Sequence, residues 1–224
     1  NGEDSHIGGW WNVRDYLAQN LPEIVWNLDE GAGRYRQFGR VALFTNITVF
    51  QTMLTSALRT IRQQTNAEGV AIHVVGSLAG GTGAGLFIDV AHIAREIAQS
   101  VGLKQAKVFG YFALVEAFEG TPAIRLNNAI TRLDFDARGY AALRELARLQ
   151  TTLGEGTGYD MRYVSGSSDD VLNGRLEQAP FDMLYLFDGR RTSNALDQSS
   201  IENGIAPTIA DLVVTQVDAV GGQD

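Results

Sequence analysis

The stretch Gly76-Ser77-Leu78-Ala79-Gly80-Gly81-Thr82-Gly83-Ala84-Gly85 decides how this chain folds. Just before it, Val70-Ala71-Ile72-His73-Val74-Val75 is short, rich in β-branched residues and bounded by glycine on both sides, the pattern of a buried strand. Just after it, Val90, Ile93, Ala94 and Ile97 share one face of a helix predicted over 88–97. A strand, a glycine-rich turn and a helix start together make an anion site, because the helix start presents unpaired N–H groups and the positive end of its dipole. Glycines let the backbone approach an oxyanion and adopt positive φ, and Thr82 adds a hydroxyl donor. Valine at Gly81 or Gly83 is therefore expected to abolish binding and leave the fold standing. His73, inside the strand, reads as a sheet residue.

Outward from this centre the chain alternates. Leu43, Ile47, Phe50, Leu54, Leu58 and Ile61 step by three and four and predict one helix upstream. A further helix is expected from Val13 to Leu28, disturbed by Pro22 and anchored by Trp10 and Trp11, with a turn at Asp29–Gly33. Downstream come a strand over Val108–Val115, a long helix over 122–149, a Gly-, Ser- and Asp-rich loop over 152–174 and a strand over Asp182–Phe187. A mostly helical stretch, Ile201–Val217, is interrupted near Pro207. Strands alternating with helices predict an α/β fold, a Rossmann-like parallel sheet with helices on both faces.

The 224 residues, 45% of them hydrophobic, fit one such domain. A formal net charge of −8 argues against nonspecific nucleic-acid binding, which depends on Lys and Arg neutralising phosphates. The absence of cysteine excludes disulfides and thiolate metal sites, and His6, His73 and His92 are too scattered for zinc. No run reaches the roughly 20 apolar residues of a membrane span, and the opening Asn1-Gly2-Glu3-Asp4 is no signal peptide, so a cytoplasmic setting is expected. Arg132, Asp134, Asp136 and Arg138 read as a solvated, internally paired helix face. Asp169-Asp170 lacks the oxygen-ligand spacing of a cation loop.

Two familiar phosphate loops fail here. A P-loop ends in Gly-Lys-Ser/Thr, and this loop has no lysine. The dinucleotide fingerprint needs a last glycine where Leu86 stands. Ser77 to Gly85 instead resembles the G-G-G-T-G-[S/T/A]-G signature of tubulins and of the bacterial division protein FtsZ, with Ala79 replacing the first glycine. Three neighbours follow in family order. Gly31-Ala32-Gly33, followed by Gly39-Arg40, resembles the FtsZ turn over the terminal phosphate. Glu116-Ala117-Phe118-Glu119-Gly120 is similar both to the Phe-Glu-Gly of FtsZ and to the Val-Glu of tubulin, so either Glu116 or Glu119 is the ribose contact, and Arg125 stands two positions late for the FtsZ arginine. Leu184-Tyr185-Leu186-Phe187-Asp188 resembles the strand and turn that deliver the guanine-reading asparagine, with Asp188 at that place and Asn194 nearby.

The resemblance implies a tubulin/FtsZ-type GTPase domain, divergent and bacterial in character, that binds GTP or GDP (ATP remaining open) with Mg2+ beside the triphosphate. The phosphate contacts it implies are Ala79, Gly80, Gly81, Thr82, Gly83, Ala84 and Gly85. It further implies head-to-tail self-association and hydrolysis completed by a neighbouring subunit. On this reading residues 1–224 are an incomplete domain, with a first strand and loop expected upstream and a second domain, carrying the water-activating loop, downstream. Ala79, Asp188 and the displaced arginine also suit an alternative, a tubulin-fold scaffold or docking subunit that does not hydrolyse nucleotide.

Overall fold

The computed structural model describes residues 35–118, 129–154, 156, 158–163, 173–189 and 201–221. In chain order the elements are α1 (Arg36–Thr45), α2 (Ile47–Thr65), β1 (Gly69–Ser77), α3 (Gly81–Ser100), β2 (Gln105–Ala113), a 3-10 turn (Val115–Phe118), α4 (Ala129–Gly154), β3 (Tyr159–Arg162), β4 (Asn173–Leu176), β5 (Met183–Phe187), a π-helical turn (Ile201–Ile205) and α5 (Ala206–Gly221). The helix expected over 13–28, Trp10, Trp11 and Asp169-Asp170 lie outside the described residues.

β1, β2 and β5 form a parallel sheet in the order β1-β2-β5. Side chains alternate across it. Ile72, Val74, Val108, Phe112 and Leu184 pack with Leu78, Phe87 and Ala91 beside α3 and with Ala142 and Leu146 of α4. Phe109, Tyr111, Ala113, Tyr185 and Phe187 meet Ile205, Ile209, Leu212 and Val213 on the other side. Helices therefore cover both faces, as the alternating pattern predicts. α1 and α2 lie outside α3 and close a third cluster through Leu43, Phe44, Ile47 and Leu58 against Ile93 and Ile97.

Several boundaries differ from the sequence reading; α3, for one, begins at Gly81 rather than near Ile88, so Gly81–Gly85 belong to its start rather than to a loop. The single helix expected through Leu43 and Ile61 is two, bent by 69° between α1 and α2. Asn46 makes the break: its Nδ2 donates to the Ala42 carbonyl at 2.9 Å, and its backbone N–H donates to Leu43 rather than continuing the ladder. Among the described residues no single helix is long and apolar enough to cross a membrane, and this bent pair passes such a test only by length and composition. Likewise, the loop expected over 152–174 holds β3 and the first half of β4, an antiparallel pair. The break expected near Pro207 falls where the π-helical turn (Ile201–Ile205) gives way to α5, and Pro207 sits in the first turn of α5, where a missing N–H costs nothing.

The amino end of the sheet is tied by ions. Arg95, 4% exposed, donates to the Ala106 carbonyl at 3.2 Å and to Asp182 Oδ2 at 2.8 Å. The same carboxylate accepts from Val108 N–H at 2.8 Å and Lys107 at 3.0 Å. Burial pushes the Asp182 carboxyl up, but these N–H donors and cations outweigh it and hold it below its usual value. α3, β2 and the start of β5 are thus fixed at one point.

On the α5 face, His73 is the sheet residue the sequence predicts. Its ring stacks on Phe109 at 5.3 Å, and Nδ1 lies 3.1 Å from Tyr111 Oη. Tyr111 in turn donates to Gln216 at 2.5 Å, and Gln216 donates to Tyr185 at 2.9 Å. This chain of hydrogen bonds holds α5 against the middle of the sheet.

Candidate functional site

β1 ends at Ser77, where Leu78 N–H donates to the Ala113 carbonyl at 2.9 Å. Leu78 and Ala79 turn inward, at 0% and 5% exposure. Ala79 N–H donates to Ser77 Oγ at 3.0 Å. Gly80 is the N-cap of α3, extended at φ −94° and ψ 165°, with no side chain capping the helix. Ala84 N–H donates to the Gly80 carbonyl at 3.3 Å and closes the first turn. The start of α3 therefore carries the open donors and positive dipole of an anion site.

The glycines do not take the positive φ expected of them, and they have a packing role that the sequence does not show. No residue from Gly76 to Gly85 has positive φ. A Cβ on Gly83 would collide with the Ser77 carbonyl oxygen, and one on Gly85 with the Arg36 carbonyl. One on Gly39 of α1 would stand 2.6 Å from the Gly81 carbonyl. These glycines allow backbone to lie on backbone, β1 against α3 and α3 against α1. A Cβ on Gly80 meets nothing within 4 Å. The expectation that valine at Gly83 spares the fold is thereby corrected.

The sheet register brings the other candidates to the same edge. Ser77 pairs with Ala113, and Ala113 pairs with Phe187. The Leu78–Gly80 turn and the glycine-rich start of α3 follow β1, Glu116 lies in the 3-10 turn that follows β2, and exposed Asp188 follows β5. All three sit at the carboxyl ends of parallel strands, where open α/β sheets bind ligands. Gly31, Ala32, Gly33, Glu119 and Asn194 lie outside the described residues. Among the described residues no group of three or more His, Asp or Glu gathers as a metal site.

One constellation escapes the sequence reading. Asp89, His92 and Arg95 run down α3 and are all buried, at 3%, 3% and 4% exposure. Arg40 grips Asp89 with two hydrogen bonds, Nε to Oδ2 at 2.7 Å and Nη2 to Oδ1 at 2.9 Å, and Tyr163 donates to Oδ1 at 3.1 Å. Burial pushes the Asp89 carboxyl up against the pull of Arg40 and Tyr163. For Arg40, burial works against the charge, but the Asp89 carboxylate outweighs it and the guanidinium is held charged. The signal was present in Phe87-Ile88-Asp89-Val90-Ala91, a carboxylate set inside an apolar run.

Burial, with the Arg95 charge nearby, lowers His92 to about 4. The unfolded chain, with histidine near 6.5, then binds the extra proton first as the pH falls. Stability from this group is full above pH 6.5 and is lost toward pH 4, by about 3 kcal/mol. Urea unfolding at a series of pH values checks this, and His92→Gln is expected to flatten the curve across that window. An unflattened curve would assign the acid sensitivity to other groups.

No curated protein and no solved structure matches the chain. A family model described as tubulin like matches residues 2–223. That match spans the glycine-rich turn, the three parallel strands and their covering helices, and the chain belongs to the tubulin-like family.

Proposed function

We propose that this chain binds a guanine nucleotide at the carboxyl edge of its sheet. The observation that carries the reading is the uncapped, glycine-rich start of α3, which follows the N-cap Gly80 at the same edge as Glu116 and Asp188. In this reading backbone N–H groups of the turn and Thr82 hold the phosphates. Gly31–Gly33 covers the terminal phosphate, Glu116 or Glu119 binds the ribose, and Asp188 or Asn194 reads the base. Mg2+ arrives with the triphosphate. Subunits associate head to tail in the bacterial cytoplasm, and the contact completes a hydrolytic site, so that turnover per subunit rises with protein concentration.

Competition of GTP and ATP against a labelled GDP analogue tests the base. GTP is expected to win by about 1–3 kcal/mol, the cost when a bound base covers the polar reader and leaves it unpaired. Equal displacement by ATP would contradict guanine recognition. A non-hydrolysing scaffold is the second reading, and Ala79, standing where the family signature has its first glycine, favours it. Bound nucleotide with no turnover at any protein concentration would decide for the scaffold.

A further inference from the structure

A cavity of about 530 Å3 opens between α1, α3 and α4, and it meets the glycine-rich turn only at Ala84 and Gly85. Its size falls within the range of small-molecule sites, about 300–1,000 Å3. Phe87, Ile88, Leu149 and Leu176 supply an apolar lining. Two carboxylates reach its wall, and each is already taken: Asp89 by Arg40, Glu145 by Arg36. Arg148, exposed on α4, also lines the cavity and has no ion pair among the described residues. The wall thus carries one uncompensated positive charge in a chain whose net charge is −8. His92 lines it too, 3% exposed, and its Nε2 has no hydrogen-bond partner.

We propose that this cavity is a second ligand site, for a monocarboxylate with an apolar body. Arg148 binds the carboxylate through its planar fork of donors. The neutral His92 ring turns to donate Nε2–H to the same group and so gains the partner it lacks. The apolar body packs on Phe87, Ile88 and Leu149. A dianion such as phosphate is disfavoured, because Asp89 and Glu145 stand at the wall and repel a second negative charge. A neutral apolar molecule would leave both Arg148 and His92 unserved.

The test uses the full 224-residue chain without nucleotide, and the probes octanoate, 4-phenylbutyrate, 4-phenylbutyramide and inorganic phosphate. Saturable binding of a carboxylate probe is expected, with a shift of the His92 imidazole nitrogen resonances. Arg148→Gln should weaken carboxylate binding about tenfold or more and leave the amide unchanged. Ile88→Trp, which fills the cavity, should remove binding of all probes. Because Arg148 is exposed, its variant keeps the fold and decides the matter even where Ile88→Trp does not fold. Absence of saturable binding by both carboxylates, phosphate binding as well as they do, or unchanged affinity in Arg148→Gln would overturn the proposal.

Discussion

Gly83→Val is expected to unfold this chain, not merely to empty its phosphate loop. Position 83 lies in the first turn of α3, directly over the end of β1, and a Cβ there collides with the carbonyl oxygen of Ser77. That neighbour is backbone inside a paired strand, so no rotamer change relieves the clash. Either α3 lifts from the sheet or β1 loses its final pairing with Ala113. The expected loss is at least about 3 kcal/mol, the upper end of what overpacking costs. Gly80→Val is the matched control, because a Cβ on Gly80 meets nothing within 4 Å. It should keep the unfolding midpoint and lose nucleotide affinity. Urea unfolding and calorimetric titration of both variants separate the two effects. Equal midpoints would mean that α3 does not pack on Ser77 as described, and unchanged affinity in Gly80→Val would remove the turn from the proposed site.

Arg40→Met is expected to cost about 3–5 kcal/mol, because it strands a buried carboxylate. Asp89 has 4% of its side chain exposed and, among the described residues, would keep only the Tyr163 hydroxyl. The sign with pH follows from burial, which already pushes this carboxyl up. Without Arg40 it rises further, so Asp89 protonates instead of staying charged. The penalty is then small below about pH 4, the unfolded value of aspartate, and grows as the pH rises through the raised folded value. The double variant Arg40→Met with Asp89→Leu should recover most of the loss, as replacing a whole buried pair is far cheaper than breaking it. A double variant no more stable than Arg40→Met would show that the pair shapes the packing of α1 on α3 beyond its charge.

Much of the fold is legible in the sequence because its signals are local. β1, β2 and β5 announce themselves by short β-branched or aromatic runs, and α3 by its glycine-rich start. The break at Asn46 is not legible, since the apolar rhythm of Leu43, Ile47 and Phe50 runs through it undisturbed. β3 and β4 are hidden by a composition that belongs to loops, and they pair with each other rather than with the sheet. For the candidate site, the glycine-rich turn, Glu116 and Asp188 each stand out as the end of an element, but their meeting at one edge depends on strand register. The glycines are visible and their reason is not. What Gly83 and Gly85 accommodate is the carbonyl of another element, which only the packed chain reveals. Asp89 likewise shows in sequence as a misplaced charge, and its partner Arg40 stands 49 residues away.

Arg95 also bears on the order in which the molecule is made. It reaches Ala106 across 11 residues but Asp182 only across 87. β1, α3 and β2 are joined by short-range contacts and are the fast-forming part of the domain, whereas β5 must return over a long connection that holds α4 and the β3–β4 pair. Until it does, the guanidinium waits without its counter-ion and the edge of β2 stands open as a template for a foreign strand. During synthesis this interval is when the nascent chain is most exposed to aggregation. Docking of β5 closes both hazards in one step, which makes Asp182 the latch of the folding reaction as well as a tie in the finished sheet.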